Sequence, residues 1–176
     1  YVSHQVAEEI FKDPDKYVNL LKGTRKKVTV LFADVRKFTP LSEKLPPEQV
    51  VALLNELLSA MTNVVFRYEG TIDKFIGDCL MAVYGAPIEH PDDQNRAVMS
   101  AVDIQKEIQK INERRKRFGQ PTMSIGIGIN SGEAVVGNIG SQERLDYTVI
   151  GDTVNLASRL QEVAGGGEIV ISERVF

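Results

Sequence analysis

The sequence holds one cysteine, two histidines and no tryptophan in 176 residues. A lone cysteine, Cys79, excludes a disulfide framework within the chain and fits a reducing compartment. The histidines, His4 and His90, show no metal-ligand spacing. No apolar run is long enough for a membrane span. The stretch YVSHQVAEEIF carries acids where a signal peptide needs a basic and then an apolar segment. An excess of basic residues is missing as well: 21 Lys and Arg against 24 Asp and Glu give a net charge of -3, and so no overall electrostatic case for nucleic acid. Internal repeats and low-complexity segments are absent. The expectation is a soluble, cytoplasmic domain with no nucleic-acid partner and no membrane contact by this segment. With 43% hydrophobic and 26% charged residues, a chain of this length can bury its own core without disulfide or metal staples.

Residues 1–12 predict a short helix with Val2, Val6 and Ile10 on one face, then Asp-Pro-Asp and a loop through Gly23. We read 1–25 as a connector from an upstream regulatory region and 26–176 as the folded domain. Val28 to Ala33 is an apolar, β-branched run, hence a buried strand. From Pro47 to Tyr68 a helix is predicted, with Val50, Leu54, Leu57, Met61, Val64 and Val65 as its apolar face and Gly70 as its stop. Thr71–Ile76 and Cys79–Tyr84 flank Gly77-Asp78, the signal of a hairpin with a type II′ turn. A long helix opens at Pro91, Asp92 and Asp93 and closes on Arg114 to Arg117, the charge order a helix dipole favours; Ala97, Ala101, Ile104, Ile108 and Ile111 form its stripe. Met123–Ile129 alternates large and small residues, which predicts a strand closely approached on one face. Glu133–Ile139 reads as its hairpin partner across Ser131-Gly132. A strand over Tyr147–Ile150, a helix over Asp152–Val163 and a strand over Glu168–Ser172 follow. The order is that of an α+β, ferredoxin-like β-α-β-β-α-β core with an added C-terminal αβ subdomain.

Asp34 follows the first strand and Asp78 sits in the hairpin turn. Each alone reads as a loop or turn residue. In this topology, however, the first strand lies beside the hairpin, so the two carboxylates converge, and paired carboxylates are the protein's usual share of a magnesium site. The pair therefore admits both readings. Arg36 and Lys37 add positive charge before a short helix near Pro40, whose starting amides are an anion site without Walker glycines. Asp152 is read as a helix N-cap. Asn155 and Arg159, spaced i, i+4, share a helical face suited to sugar and phosphate oxygens, or form an ordinary exposed polar face. Cys79 is read as a small core residue, Gly165–Gly167 as a flexible turn, and the RRKR cluster as a complement to the helix dipole.

These segments resemble the catalytic domain of class III nucleotidyl cyclases, the adenylate and guanylate cyclase family. The matching stretches are TVLFADVRKFT (29–39), IDKFIGDCLMAVYG (72–85), IGINSGEAVVGNIG (127–140) and DYTVIGDTVNLASRL (146–160), in order along nearly the whole chain. The resemblance implies that Asp34, Asp78 and the Val35 carbonyl bind two Mg2+ or Mn2+ ions per site. It implies that Phe38 and Thr39 meet substrate in the phosphate loop, that Asn155 orients the ribose and that Arg159 supports the transition state at the α-phosphate. Lys74 and Thr148 would face the purine. Lysine only donates, which suits adenine N1, while threonine donates or accepts and merely permits adenine.

The implied function is an adenylate cyclase: ATP becomes 3′,5′-cyclic AMP and pyrophosphate at sites shared across a homodimer, downstream of a sensor domain in the parent protein. Thr148 also resembles the bicarbonate-responsive bacterial subgroup. Two features depart from the pattern. Many relatives carry glycine where Lys37 stands, and the family's triphosphate-binding lysine comes from a segment past Phe176. The competing readings are a guanylate cyclase making cyclic GMP, which Lys74 argues against, and a catalytically silent cyclase-like nucleotide-binding or regulatory module, which the presence of Asp34, Asp78, Lys74, Asn155 and Arg159 together argues against. A diguanylate cyclase would need a different hairpin from FIGDCL.

Overall fold

The structure is a computed structural model that describes residues 11–12, 23–141, 143 and 145–176. Apart from Phe11 and Lys12, the helix expected over residues 1–12 lies outside the described residues. A single six-stranded sheet organises the domain. Its centre is β1 (Thr24–Arg36), buried on both faces through Val28 to Ala33. β1 pairs antiparallel with β3 (Cys79–Tyr84) on one side and with β4 (Ser124–Gly140) on the other. β2 (Thr71–Ile76) lies outside β3 and β5 (Leu145–Ile150) outside β4, giving the order β2-β3-β1-β4-β5. β6 (Ile169–Ile171) pairs parallel with β4. Around it come α1 (Phe38–Ser42), α2 (Pro47–Arg67), α3 (Asp93–Arg117) and α4 (Asp152–Val163). This is the expected α+β core with its C-terminal addition.

The two faces of the sheet are covered differently. Leu31, Ala33, Val35, Leu80, Ile125 and Ile127 pack against α2 and α3. Val30, Phe32, Cys79, Met81 and Val83 face the other way, toward Ala157 of α4 and Val149 of β5. α2 begins with Pro47 in its first turn and buries Leu53, Leu57, Met61, Val64 and Val65. Leu53 therefore belongs to the deep stripe, in place of the expected Val50 and Leu54, which are only half-buried. By length and composition α2 could cross a membrane, yet its apolar stripe is spent against the sheet. α3 buries the expected stripe and adds Ser100. Of its terminal bases, Arg114 and Arg115 also pair with Glu56 of α2.

Three local expectations are corrected. First, the left-handed residue that ends α2 is Glu69, at φ 58°, and not Gly70. Glu69 N–H bonds the Phe66 carbonyl and Gly70 N–H bonds that of Val65, both at 3.0 Å, which closes a Schellman motif. Gly70 is required for another reason: a Cβ there would stand 2.7 Å from both Tyr84 Cε1 and Val65 Cγ1. Second, Met123–Ile129 and Glu133–Ile139 are not a hairpin but parts of one strand, paired with β1 from Thr24↔Val136 to Arg36↔Ser124. The polar Asn130-Ser131-Gly132 sequence looks like a turn, but tertiary partners satisfy it. Asn130 Nδ2 donates to the Thr153 carbonyl at 2.9 Å, and Ser131 Oγ donates to the Val28 carbonyl at 3.3 Å. Third, Gly151 occupies the cap position of α4 and Asp152 is its first residue, with no side-chain cap. The predicted large-small alternation is a true close approach: a side chain at Gly126 would collide with the Arg36 guanidinium, and one at Gly128 with the α4 backbone.

Candidate active site

Asp34 lies near the end of β1, opposite Cys79 on β3 and Gly126 on β4. Asp78 immediately precedes Cys79 in the β2–β3 turn, where of the two turn residues only Gly77 has positive φ, 61°, as a type II′ turn requires. The register thus brings the two carboxylates together at one end of the sheet. Burial, and then the Asp78 charge, hold the Asp34 carboxyl above its ordinary range, while Arg36 partly offsets both. The β1–β3 ladder stops at Asp34 whereas the β1–β4 ladder runs on to Arg36, so β1 past Asp34 is unpaired on the β3 side. Two mutually repelling carboxylates beside free backbone oxygens are a donor set for a hard divalent cation. Among the described residues, no three His, Cys, Asp or Glu side chains gather as a complete metal cage. Such an ion would therefore take further ligands from backbone and phosphate oxygens.

Arg36 does not reach out to solvent as a phosphate-binding base. Its Nη1 donates to Asp34 Oδ1 at 3.1 Å and its Nη2 to the Gln161 carbonyl at the end of α4, with the guanidinium resting over Gly126. Lys37 is exposed, with φ 58°. The short helix starts at Phe38 rather than near Pro40; Phe38 packs partly on the core and Thr39 is exposed. Cys79 is buried, and burial, with Asp34 and Asp78 nearby, pushes its thiol up to about 12, which fits a core residue and not a nucleophile. His90 pairs with Glu69 at 3.0 Å, away from these groups.

A second cluster forms where β2 meets β5. The β2–β3 register passes from Ile72↔Ala82 to Lys74↔Met81, so Asp73 is the extra residue of a β-bulge. Ile72 stays on the face toward α2 and α3. The bulge sends both Asp73 and Lys74 to the opposite face, that of Met81. There Thr148 Oγ1 donates to Asp73 Oδ2 at 2.7 Å and Oδ1 at 2.9 Å, and Val149 N–H donates to Oδ2 at 3.3 Å. Lys74 Nζ lies 3.1 Å from Asp73 Oδ1. The side chain of Asp73 is only 2% exposed, that of Lys74 44%. Lys74 and Thr148, paired by resemblance alone, thus meet through a residue that sequence reasoning missed. The one signal available was an acid directly before Lys74 on a strand otherwise free of acids.

Asn155 and Arg159 are exposed on α4 and line an open groove of about 690 Å³ with Asn130, Thr153, Ser172 and Arg174. Neither Asp34 nor Asp78 lines it. Ala157 and Gln161 are the buried, sheet-facing residues of the same helix. Asn155 and Arg159 stand two positions from them, about 200° around the helix, and so face away from the sheet that carries Asp34. Within one chain the structure brings together Asp34 with Asp78, Lys74 with Thr148, and Asn155 with Arg159. It turns the last pair away from the first.

The family model for the adenylate and guanylate cyclase catalytic domain matches residues 21–176. Adenylate cyclase 1 of Rhizobium meliloti (strain 1021) is 39% identical over 137 residues, covering 78% of this chain but 21% of that protein, so the chain spans about a fifth of that relative's length. Among solved structures, the adenylyl cyclase CyaB from P. aeruginosa superposes with a TM-score of 0.84 at 42% identity, covering 87% of this chain and 80% of that one. The guanylyl cyclase Cya2 gives 0.83 at the same 42% identity, covering 87% and 78%. Equal identity to an adenylyl and a guanylyl enzyme leaves the base to be argued from the site itself. By sequence match, by fold and by the order of its motifs, the chain belongs to the class III adenylate and guanylate cyclase catalytic domain family.

Proposed function

We propose that this domain is an adenylate cyclase that converts ATP to 3′,5′-cyclic AMP and pyrophosphate at two sites shared across a homodimer. The observation that carries the reading is the orientation of its two half-sites: Asp34 and Asp78 at the sheet end, Asn155 and Arg159 on the outward face of α4. A second copy related by a two-fold axis can set one chain's carboxylates opposite the other's Asn155 and Arg159. Exposed Phe75, Ile76, Leu145, Ile150 and Leu156 offer apolar surface for such a partner.

In this reading Asp34, Asp78 and the Val35 carbonyl hold two Mg2+ or Mn2+ ions, which when bound neutralise triphosphate charge and favour ionisation of the attacking hydroxyl. Amides around Phe38 and Thr39 receive phosphate oxygens. Asn155 orients the ribose so that its 3′-oxygen stands in line with the α-phosphorus. The new P–O3′ bond forms as the α–β bridging P–O bond breaks, pyrophosphate leaves, and the hydroxyl proton passes to solvent. Arg159 donates to oxygens on which charge builds. Lys74, a donor, suits adenine N1 and opposes the N1–H of guanine. The domain would act as the cytoplasmic catalytic part of a longer signalling protein with an upstream sensor. Incubation with ATP or GTP and Mn2+, with the product identified by mass, tests this: cyclic AMP in large excess is expected. Dominant cyclic GMP would overturn the base assignment, and no cyclic nucleotide from the full-length protein would overturn catalysis.

A further inference from the structure

Thr148 by itself is ambiguous toward a purine, because a free hydroxyl can either donate or accept. Its surroundings remove that ambiguity. The hydroxyl carries one hydrogen, and that hydrogen is directed at Asp73, whose two carboxylate oxygens lie 2.7 and 2.9 Å away and can only accept. Towards any ligand, Thr148 then offers only lone pairs. Lys74, held 3.1 Å from the same carboxylate, keeps further N–H groups to donate.

We propose that Asp73 is the specificity-determining positioning residue of the base pocket, fixing Thr148 as an acceptor beside Lys74, a donor in any case, and so imposing adenine. The inference rests on the placement of the purine at Lys74 and Thr148 in the reading above. Adenine presents an acceptor at N1 and a donor at its amine, complementary to this fixed pair. Guanine presents the reverse at both atoms, so each contact would set donor against donor or acceptor against acceptor. A pocket whose polar groups are left unpaired by the wrong base discriminates strongly. The carboxylate suits this task because it is almost fully buried and is anchored by the Val149 N–H as well, so it is not free to turn away. The bulge at Asp73 is the backbone device that makes the arrangement possible: without it, Lys74 would fall on the opposite face of β2 from Asp73.

The test compares kcat/KM for ATP and GTP in the wild-type protein and in Asp73→Asn, Asp73→Glu, Thr148→Ser, Thr148→Val and the double variant Asp73→Asn/Thr148→Val. Wild type should prefer ATP. Asp73→Asn replaces one of the two acceptor oxygens facing Thr148 with an N–H donor, so the direction of the threonine hydrogen is no longer imposed, and it should lower the ATP-to-GTP ratio by about tenfold or more, mostly through KM. Thr148→Ser and Asp73→Glu should keep most of the ratio. The double variant should have a ratio no lower than Thr148→Val, because Asp73 acts through the threonine. Equal loss for both nucleotides in Asp73→Asn, with the ratio intact, would overturn the proposal and leave Asp73 as a tie between β2 and β5. If Asp73→Asn does not fold, an unchanged ratio in Thr148→Val would overturn it on its own. Wild type preferring GTP would instead sink the underlying base assignment, a separate and recognisable failure.

Discussion

At φ 58°, Lys37 sits in the left-handed region that costs an L-residue roughly 1–2 kcal/mol, at the junction of β1 and α1. The glycine that the family resemblance leads one to expect there has a physical reason, since glycine adopts this φ without steric cost. Lys37 is exposed, so Lys37→Gly removes strain without loss of packing. We expect it to raise stability by up to about 1 kcal/mol, after allowing for the greater freedom of glycine in the unfolded chain, seen as a higher urea midpoint at unchanged slope. Asp34 is the opposite case, a residue whose environment works against its charge. Burial and Asp78 raise its carboxyl, so the folded state binds this proton more tightly than the unfolded chain does. The cost of its charge is present above the raised pKa and disappears as pH falls through it. Asp34→Asn should therefore leave the metal-free domain at pH 7 as stable as wild type, or more stable by up to about 1 kcal/mol once solvent screening is allowed for. Saturating Mn2+ with a non-cyclisable ATP analogue should reverse the order. Wild type gains about 2.7 kcal/mol at ligand near a hundred times its dissociation constant, and Asp34→Asn far less, as read by thermal melting. Equal gains in both proteins would remove Asp34 from the metal set.

At the scale of elements, much of the architecture was legible because it rests on local periodicity. The α3 stripe, the β2–β3 hairpin and the span of α4 follow directly from apolar spacing and turn residues. β4 did not. Its Asn130-Ser131-Gly132 segment has the composition of a turn, and it is a strand only because α4 and β1 supply the hydrogen bonds that water would otherwise give. The Asp73 bulge escaped for a related reason, since its partners on β5 lie 75 and 76 residues away and no local pattern reports them. Asp34 and Asp78 could be paired from topology alone, whereas the engagement of Arg36 with Asp34 and α4 could not. Gly70 shows how one residue type can hide two causes: Glu69 ends α2, and Gly70 makes room for Tyr84. Gly70→Ala would push a Cβ against Tyr84 and Val65, both fully buried, and should cost about 1–3 kcal/mol in a chemical-denaturation measurement. A loss below a few tenths would mean that α2 and β3 can part to admit a methyl group.

For the whole molecule, the decisive feature is that one chain carries both Asp34 with Asp78 and Asn155 with Arg159 and does not assemble the two pairs. Asp34 and Asp78 stand at the sheet end while Asn155 and Arg159 look outward from α4, so a lone copy would be two half-sites. This makes oligomerisation a catalytic requirement in the reading proposed above. Asp34→Ala and Asn155→Ala should each lower kcat by about a hundredfold or more as homodimers, since each damages both sites. Co-expressed in equal amounts, the two variants should pair at random. Half of the dimers would then be mixed, and each mixed dimer would hold one undamaged site beside one doubly damaged site. The measurement is cyclic AMP formation by such a co-expressed preparation, with dimer formation checked by sedimentation. Recovery to about a quarter of wild-type activity is expected from this statistical pairing. Activity no higher than that of the separate variants, in a preparation proven to contain mixed dimers, would contradict the shared site.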